Sequence, residues 1–352
     1  MRGFSRLAVA GLLLVLTGVA LTIYLWRAWA WLDNPLPLEA ETIVRIEPGD
    51  SLGEVLRSVA ARNVPLRQRW LASYGQWAGY AERLHVGEYR LAVGTSPRQM
   101  LEQFATGDVA LYQVRVPEGI TVPALLAHLR SYEYLRDDIG AATPEELLRA
   151  LKTEPAFQML PEWTAGGWPA NAEGLFLPET YAVKRGDSLS GVLLRAHAAL
   201  TDILQVTWET RAPDVEVTTP YGLLTLASLV EKESGVAADR SQISQVFHLR
   251  LARNMRLQTD PTVIYALGAS FDGDIRRRDL RIDSPYNTYR VRGLPPTPIA
   301  LASAAALRAA ANPAAGEYLY FVARGDGSSE FSRTLDQHNA AVRRFQLGGR
   351  EG

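Results

Sequence analysis

Hydrophobic residues form one long run near the start of the chain. The run over residues 7–26 has about twenty residues without a charge, enough for a helix to cross a hydrocarbon core of roughly 30 Å. Arg2 and Arg6 precede it, and aromatic and acidic residues follow. These flanks predict one membrane-spanning helix within residues 1–32, with a cytoplasmic N-terminus and the rest of the chain outside the inner (cytoplasmic) membrane. The alternative is a cleaved signal peptide, since Ala28-Trp29-Ala30 loosely resembles a cleavage site.

Residues 40–108 alternate between short strand and helix patterns. A strand pattern over 42–46 leads into the turn Pro-Gly-Asp-Ser, and apolar residues then recur at helical spacing (Leu52, Val55, Leu56, Val59). A second helix, a strand and a third helix follow, the third with Ser96 as N-cap and Pro97 in its first turn. This order resembles the LysM-like module that binds the glycan of peptidoglycan. The alternative is a spacer domain that holds the C-terminal part at a set height above the membrane.

Residues 223–233 form a helical pattern that ends in two acidic side chains on different faces. Leu226, Leu229 and Glu233 share one face, whereas Glu231 is expected to face water. Burial at the end of an apolar stripe favours a protonated carboxyl group and raises its pKa, as a general acid acting on a glycosidic oxygen requires. The alternative is that Glu233 extends into solvent from the helix end or pairs with a buried arginine.

The segments that follow predict further elements of an α+β fold. Asp260 is expected to cap a helix that has Pro261 in its first turn and ends at Gly268. Residues 284–298 are rich in proline and aromatic side chains without periodicity, a pattern typical of functional or mobile loops. A rigid structural loop is the alternative there. Residues 318–345 predict a β-hairpin and a final helix, which we interpret as scaffold.

Composition narrows the functional classes. The chain has 352 residues, of which 47% are hydrophobic and 21% charged, as expected for a globular protein of two or three units. The net charge of −1 gives no electrostatic footprint for nucleic acid. With no cysteine and five scattered histidines, the sequence predicts neither thiolate chemistry nor a zinc site. No metal or other cofactor is expected.

Five sequence runs, in this order, resemble one known family. They are EGLFLPETY (173–181), LASLVEKES (226–234), LQTDPTVIYALG (257–268), SPYNTYRVRGLPP (284–296) and YLYFVARGDGSSEFSRTLDQHN (318–339). They are similar to the YceG-like domain of endolytic murein transglycosylases (the MltG family). The resemblance implies an anchor, a LysM-like module and a YceG-like α+β catalytic domain over residues 109–347.

The resemblance also implies a reaction and its residues. The family's catalytic glutamate is the second Glu of the EKE-type motif, here Glu233. The implied reaction cleaves the β-1,4 bond between N-acetylmuramic acid and N-acetylglucosamine in nascent glycan strands, leaves a 1,6-anhydro end and terminates glycan elongation. One carboxyl group suffices, because the nucleophile is the substrate's own 6-hydroxyl. The matching motif positions give candidates for substrate binding: Glu173, Gln258, Asp260, Tyr286 and Asn287. A peptidoglycan synthase complex is an expected partner.

Two other functions compete with this one. A non-catalytic, membrane-tethered peptidoglycan-binding protein would use the LysM-like module alone, but the intact EKE motif argues against it. A hydrolytic muramidase would need a second carboxylate roughly 5–9.5 Å from Glu233, for which Glu173 and Asp260 are the candidates. The product distinguishes the two enzymes, because hydrolysis leaves reducing ends in place of anhydro ends.

Overall fold

The structure, a computed structural model, describes residues 2–159, 163 and 167–347. The chain divides into two compact units, Met1–Tyr112 and Gln113–Gly352. Helices and short strands alternate in both, which confirms the predicted mixture of helix and sheet. The predicted domain bounds of 1–32, 40–108 and 109–347 stay predictions.

The first unit combines one long helix with a small mixed module. Its elements are α1 (Arg2–Trp31), β1 (Thr42–Ile46), α2 (Leu52–Ala60), α3 (Gln68–Trp77), β2 (Gly87–Leu91) and α4 (Pro97–Thr106). Strands β1 and β2 pair antiparallel, with Thr42 opposite Leu91 and Ile46 opposite Gly87. The three short helices pack their apolar faces, with those of the strands, into one core.

Local signals set the helix boundaries in this unit. Ser51 and Glu54 form a reciprocal capping box at the start of α2, and Ser96 and Gln99 form another at the start of α4. The predicted N-cap at Ser96 is therefore confirmed. Helix α4 ends at Gly107, which adopts a left-handed backbone conformation (φ 70°) that glycine tolerates without strain.

The second unit is mostly helical. Its elements are β3 (Leu111–Arg115, which begins in the first unit), α5 (Val122–Arg130), α6 (Pro144–Leu151), β4 (Thr180–Lys184), α7 (Leu189–Glu209), α8 (Pro220–Glu233), α9 (Arg240–Ala252), α10 (Asp260–Leu267), α11 (Ala304–Ala311), β5 (Tyr320–Ala323), β6 (Ser329–Ser332) and α12 (Leu335–Val342). Strand β3 pairs with β4, and β5 pairs antiparallel with β6.

Helix α8 lies at the centre of the second unit. Helices α7, α9, α10 and α11 all pack against it, and its residues from Leu223 to Val230 are buried without interruption. A helix that is apolar around most of its circumference is expected in such a position. Its last residue, Glu233, is thereby held at the edge of the packed core.

Several boundaries differ from the sequence predictions. Thr259, not Asp260, precedes the first helical residue of α10, so Asp260 is the first helical residue and not the N-cap. Helix α11 begins at Ala304 with Ser303 as its N-cap. Helices α7 and α9 were not predicted at all. The predicted final helix is confirmed as α12, which begins with a capping box of Thr334 and Gln337.

Candidate active site

Glu233 lies at the C-terminal end of α8, where the helix meets the segment before α10. The hydroxyl of Thr259 donates a hydrogen bond to Glu233 Oε1. Thr259 is itself buried, and its backbone N–H donates to the Thr288 hydroxyl (3.1 Å). The carboxyl group is therefore held in a fixed orientation by residues from two later segments of the chain.

Glu233 is partly exposed in a pocket of about 550 Å³. The rest of the pocket lining comes from the segment 257–260, from Tyr289, and from side chains of β5 and α12. Polar groups dominate these walls, among them Gln258, Asp260 and Asn339. A pocket of this size, with aromatic and hydrogen-bonding walls, suits a sugar ring and its hydroxyls.

Burial governs the protonation of Glu233. It raises the pKa of the carboxyl group from 4.5 to about 7, against the hydrogen bond from Thr259, which lowers it. The negative charge of Asp260 raises the pKa further, and the positive charge of Arg250 lowers it. The carboxyl group thus exchanges its proton near neutral pH, the range in which one group can act first as acid and then as base.

A buried arginine lies in the same pocket. Arg250 donates from Nε to the Leu319 carbonyl (2.7 Å) and from Nη1 to the Leu257 carbonyl (2.6 Å). Its guanidinium carbon lies 5.3 Å from the centre of the Tyr320 ring. Arg250 therefore joins the hairpin wall to the segment that carries Gln258, and its charge helps a nearby carboxylate to form.

Two of the predicted substrate-binding residues share the pocket with Glu233. Asp260 accepts a hydrogen bond from the Tyr289 hydroxyl (2.6 Å), which fixes its carboxylate at the rim. Gln258 is exposed and has a positive φ of 50°, a conformation that a non-glycine residue adopts at some cost in energy. Its backbone N–H donates to the Thr288 carbonyl (3.2 Å). The strained backbone at Gln258 is thus held between Thr259, the N-cap of α10, and Thr288 in the Pro-rich loop.

Glu173 lies outside this pocket lining. It is fully buried, and its two carboxyl oxygens accept hydrogen bonds from the Val122 backbone (2.9 Å) and the Tyr265 hydroxyl (3.3 Å). Burial raises its pKa to about 7. Tyr286 packs against Tyr265, with 4.9 Å between the two ring centres. Its hydroxyl is within 2.9 Å of the Thr297 hydroxyl.

Asn287 is also outside the pocket lining and fully buried. Its Nδ2 donates to the carbonyls of Leu280 and Ile282, and its Oδ1 accepts from the Tyr289 backbone (3.0 Å). The Pro-rich loop is therefore cross-braced around this amide. Asn287 holds the backbone of Tyr289, whose hydroxyl in turn binds Asp260.

The expectation that Glu231 faces water is wrong. Its side chain is only 7% exposed, because the N-terminus of α11 packs against that side of α8. Its carboxylate accepts hydrogen bonds from Ser303, from the backbone N–H (3.0 Å) and the hydroxyl (2.5 Å). It also pairs with Arg240 at 3.8 Å. Glu231 therefore fastens the start of α11 to the end of α8.

The interpretation of the C-terminal hairpin and helix as scaffold is wrong, since both line the pocket. Tyr320 on β5 and His338 and Asn339 on α12 line it together with Glu233. The His338 ring stacks on Tyr320 with 5.3 Å between centres, and its Nδ1 is buried without a hydrogen-bond partner. Burial lowers the pKa of His338, with the charge of Arg250 acting in the same direction, so its imidazole is neutral. Tyr320, His338 and Asn339 all lie within the family motif over residues 318–339, so that motif could have identified them from the sequence.

The pocket offers acid–base chemistry from a single carboxyl group. Over residues 2–159, 163 and 167–347, no three His, Asp or Glu side chains gather as a metal site would require. Asp260 is the other carboxyl group of the pocket, and it is engaged by Tyr289.

Known proteins resemble this chain in sequence and fold. A model of the YceG-like family matches residues 44–344. The chain belongs to the YceG-like family. A relative from Bacillus subtilis, named endolytic murein transglycosylase, is 31% identical over 317 residues, which are 89% of this chain and 87% of that protein. A relative of the same name from Streptococcus pneumoniae is 27% identical over 340 residues, 88% of this chain and 60% of that protein.

The YceG-like fold is also seen in a solved structure. A 2.6 Å crystal structure of a YceG-like protein from Listeria monocytogenes is 28% identical and superposes with a TM-score of 0.55. The match covers 86% of this chain and 99% of that one. The family predicted from the five sequence motifs is therefore confirmed.

Proposed function

We propose that this YceG-like protein is an endolytic murein transglycosylase that cleaves peptidoglycan glycan strands, with Glu233 as its catalytic acid and base. The observation that carries the proposal is the Glu233 carboxyl group, oriented by Thr259 in a polar pocket and with a pKa raised to about 7. The names of the Bacillus and Streptococcus relatives support the same class of activity.

The proposed reaction uses the bond between N-acetylmuramic acid and N-acetylglucosamine. Protonated Glu233 gives its proton to the glycosidic oxygen as the C1–O bond breaks, so the N-acetylglucosamine side leaves as an alcohol. The carboxylate then takes the proton of the muramic 6-hydroxyl while that oxygen bonds to C1. The product ends in a 1,6-anhydro ring, Glu233 regains its proton, and no water is consumed. A group with a pKa near 7 suits both steps, because it gives and takes a proton with little cost at neutral pH.

The pocket walls have separate tasks in this proposal. Tyr320 and Tyr289 offer flat faces for sugar rings, and Gln258 and Asn339 offer hydrogen bonds to hydroxyl and acetamido groups. Arg250 stabilises the Glu233 carboxylate once the proton has been transferred. Glu173, Tyr286 and Asn287 lie outside the pocket lining, and we propose that they hold α10 and the Pro-rich loop in place.

The N-terminal helix supports a membrane location. Ala10–Trp31 is long and apolar enough to cross a membrane, and the arginines before it favour a cytoplasmic N-terminus. We propose that α1 anchors the protein in the inner membrane and that the catalytic domain acts outside it, on nascent strands beside a peptidoglycan synthase complex. Cleavage there would end strand elongation. The LysM-like glycan-binding role of residues 40–108 remains a proposal as well.

The deciding experiment compares the full-length chain with Glu233→Gln in detergent micelles, on uncrosslinked glycan strands, with products analysed by mass spectrometry. Internal fragments that end in 1,6-anhydro-muramic acid, absent with the variant, are the expected result. Products heavier by one water would make the enzyme a muramidase and direct attention to Asp260, which shares the pocket. Strands that bind but remain uncut with both proteins would favour a non-catalytic peptidoglycan-binding protein.

A further inference from the structure

The outer end of α1 is built into the core of the first unit. Ala28 and Leu32 are 1% and 0% exposed, and the Leu32 carbonyl accepts a hydrogen bond from the Arg98 backbone (3.0 Å). Asp33, next in the chain, pairs with the Arg98 side chain at 2.6 Å. The helix therefore enters the module directly, without a flexible linker between them. Wherever α1 is fixed, the module is fixed with it.

Aromatic rings of α3 contact the last turn of α1 edge-to-face. Trp70, near its start, lies 6.0 Å from Trp31. Tyr74 and Trp77, further along, lie 5.7 Å and 6.2 Å from Trp29. The start of α3 therefore contacts Trp31, and its C-terminal end contacts Trp29.

The contact between Trp77 and Trp29 brings the end of α3 close to the level at which the apolar run of α1 ends. Trp26 is the last residue of that run, and Trp29 is about 4.5 Å further along the helix at 1.5 Å per residue. Trp77 is 76% exposed beside Trp29, which is 49% exposed, and Trp26 is 70% exposed. Trp26 and Trp29 thus lie about one helical turn apart on α1, and the exposed ring of Trp77 contacts that of Trp29.

Tryptophan at this depth has a known preference. Its ring is apolar and its N–H is polar, so it is stabilised at the boundary between headgroups and acyl chains. Exposure of a ring as large as that of Trp77 to water alone is unfavourable. Exposed Arg27, between Trp26 and Ala28 on α1, adds a positive charge at the same level that suits lipid phosphates.

We propose that the C-terminal end of α3, with Trp77 at its tip, lies in the headgroup region of the bilayer that α1 spans. This inference rests on the proposed membrane anchor and adds a second contact to it. One helix alone leaves the module free to rotate about the membrane normal and to tilt. A second contact beside the helix sets one side of the module against the lipid.

The test uses the absence of cysteine from the chain. Single cysteines are introduced into the full-length protein at three exposed positions, by Leu16→Cys in the middle of α1, Gln76→Cys at the end of α3 and Arg69→Cys near its start. Each carries a nitroxide label in nanodiscs of phosphatidylethanolamine and phosphatidylglycerol. Electron paramagnetic resonance then compares collisions with oxygen, which concentrates in lipid, and with a water-soluble nickel chelate.

We expect label 16 to be the most accessible to oxygen and the least accessible to the chelate. Label 76 should collide with the chelate several-fold less often than label 69. Replacing Trp77 by alanine should return label 76 most of the way to the value of label 69, and circular dichroism should be unchanged because that ring is exposed. Equal accessibility of labels 76 and 69, with label 16 in lipid, would overturn the second contact and leave the anchor intact. A water-exposed label 16 would refute the anchor, and this inference with it.

Discussion

Glu231 and Glu233 lie two residues apart at the end of α8, and their carboxyl groups have opposite surroundings. Glu231 binds Ser303 and pairs with Arg240, while Glu233 faces the pocket with a pKa raised to about 7. Two residues correspond to about 200° of rotation around a helix, so the two side chains leave α8 on opposite sides. One helix end thereby fastens the core together and offers an acid to the pocket.

Glu233→Gln should remove the proton transfer and keep the fold. Loss of a general acid or base lowers rates by about 10²–10⁴, so release of anhydro-ended fragments should fall by at least the lower figure. Binding of glycan strands should change little, because the amide has the same shape. Mass spectrometry measures the first quantity and strand co-sedimentation the second.

Glu231→Gln is the matched control on the same helix. It weakens the link to Arg240 and Ser303, and loss of one partner of such a buried contact costs about 1–3 kcal/mol of unfolding free energy. Urea unfolding should detect this loss, while cleavage should persist at a reduced rate. If the variant at 231 were inactive and the variant at 233 active, the catalytic role would belong to Glu231 and not to Glu233.

The pH dependence of cleavage should move in opposite directions in two variants. The first step needs protonated Glu233, so activity should fall as pH rises through its pKa near 7. Thr259→Val removes a hydrogen bond that lowers this pKa, so the alkaline limb should move to higher pH. Asp260→Asn removes a charge that raises the pKa, so the limb should move to lower pH. Cleavage rates measured from pH 5 to 9 test both shifts. Alkaline limbs that do not move would show that a group other than Glu233 titrates.

Glu173→Gln should raise stability at alkaline pH. The Glu173 pKa is about 7 in the folded protein and 4.5 for the free group, so folding takes up a proton between these values. Unfolding free energy is therefore lost as pH rises from about 4.5 to 7, by as much as ~3 kcal/mol for this one group. The glutamine carries no charge, so the variant should match the parent at pH 4.5 and exceed it at pH 8 in urea unfolding.

The same variant tests the substrate-binding role predicted for Glu173 from its motif. The side chain is fully buried between Val122 and Tyr265, so cleavage should stay within a few-fold of the parent. A large rise in KM without loss of stability would show that the carboxylate contacts glycan after all.

His338→Ala should weaken substrate binding more than catalysis. The neutral imidazole of His338 lines the same pocket as Glu233 and stacks on Tyr320. Loss of one hydrogen bond and one ring contact corresponds to about 1–2 kcal/mol, or roughly 5–30-fold in KM. His85→Ala, on an exposed residue of the first unit, is the control and should leave KM unchanged. A fall in kcat alone would refute a binding role.

The parts of the fold predicted from the sequence are those with strong local signals. The capping residues Ser96 and Thr334 fix helix starts through their own hydrogen bonds, and helical spacing places Glu233 on the face of Leu226 and Leu229. Such signals depend on a few neighbouring residues and survive in any tertiary context.

Helix α9 shows why other parts were missed. It buries Ser244, Gln245 and His248, and Gln245 and His248 make hydrogen bonds to later segments. Polar residues on the buried side leave no apolar stripe to detect. Helix α7, by contrast, buries Leu193, Ala196 and Leu200 at helical spacing, so periodicity could have revealed it.

For a related reason, only part of the candidate site could be predicted from the sequence. Periodicity gives the faces of α8 relative to each other, but not which element packs on each, so the contact of Glu231 with α11 was invisible. Gln258 and Asp260 lie close to Thr259 in the chain, and their neighbourhood follows from the start of α10. Tyr320 and His338 reach Glu233 only through the tertiary position of the hairpin, which no local pattern encodes.

The wall formed by β5 and α12 is made from residues far downstream of Glu233 in the chain. During synthesis, α8 with Glu233 is therefore complete well before β5 and α12 are added. A polypeptide interrupted or clipped before Tyr320 would retain the glutamate but have no enclosed space in which to hold a sugar. Copies that end before Tyr320 are therefore expected to lack cleavage activity.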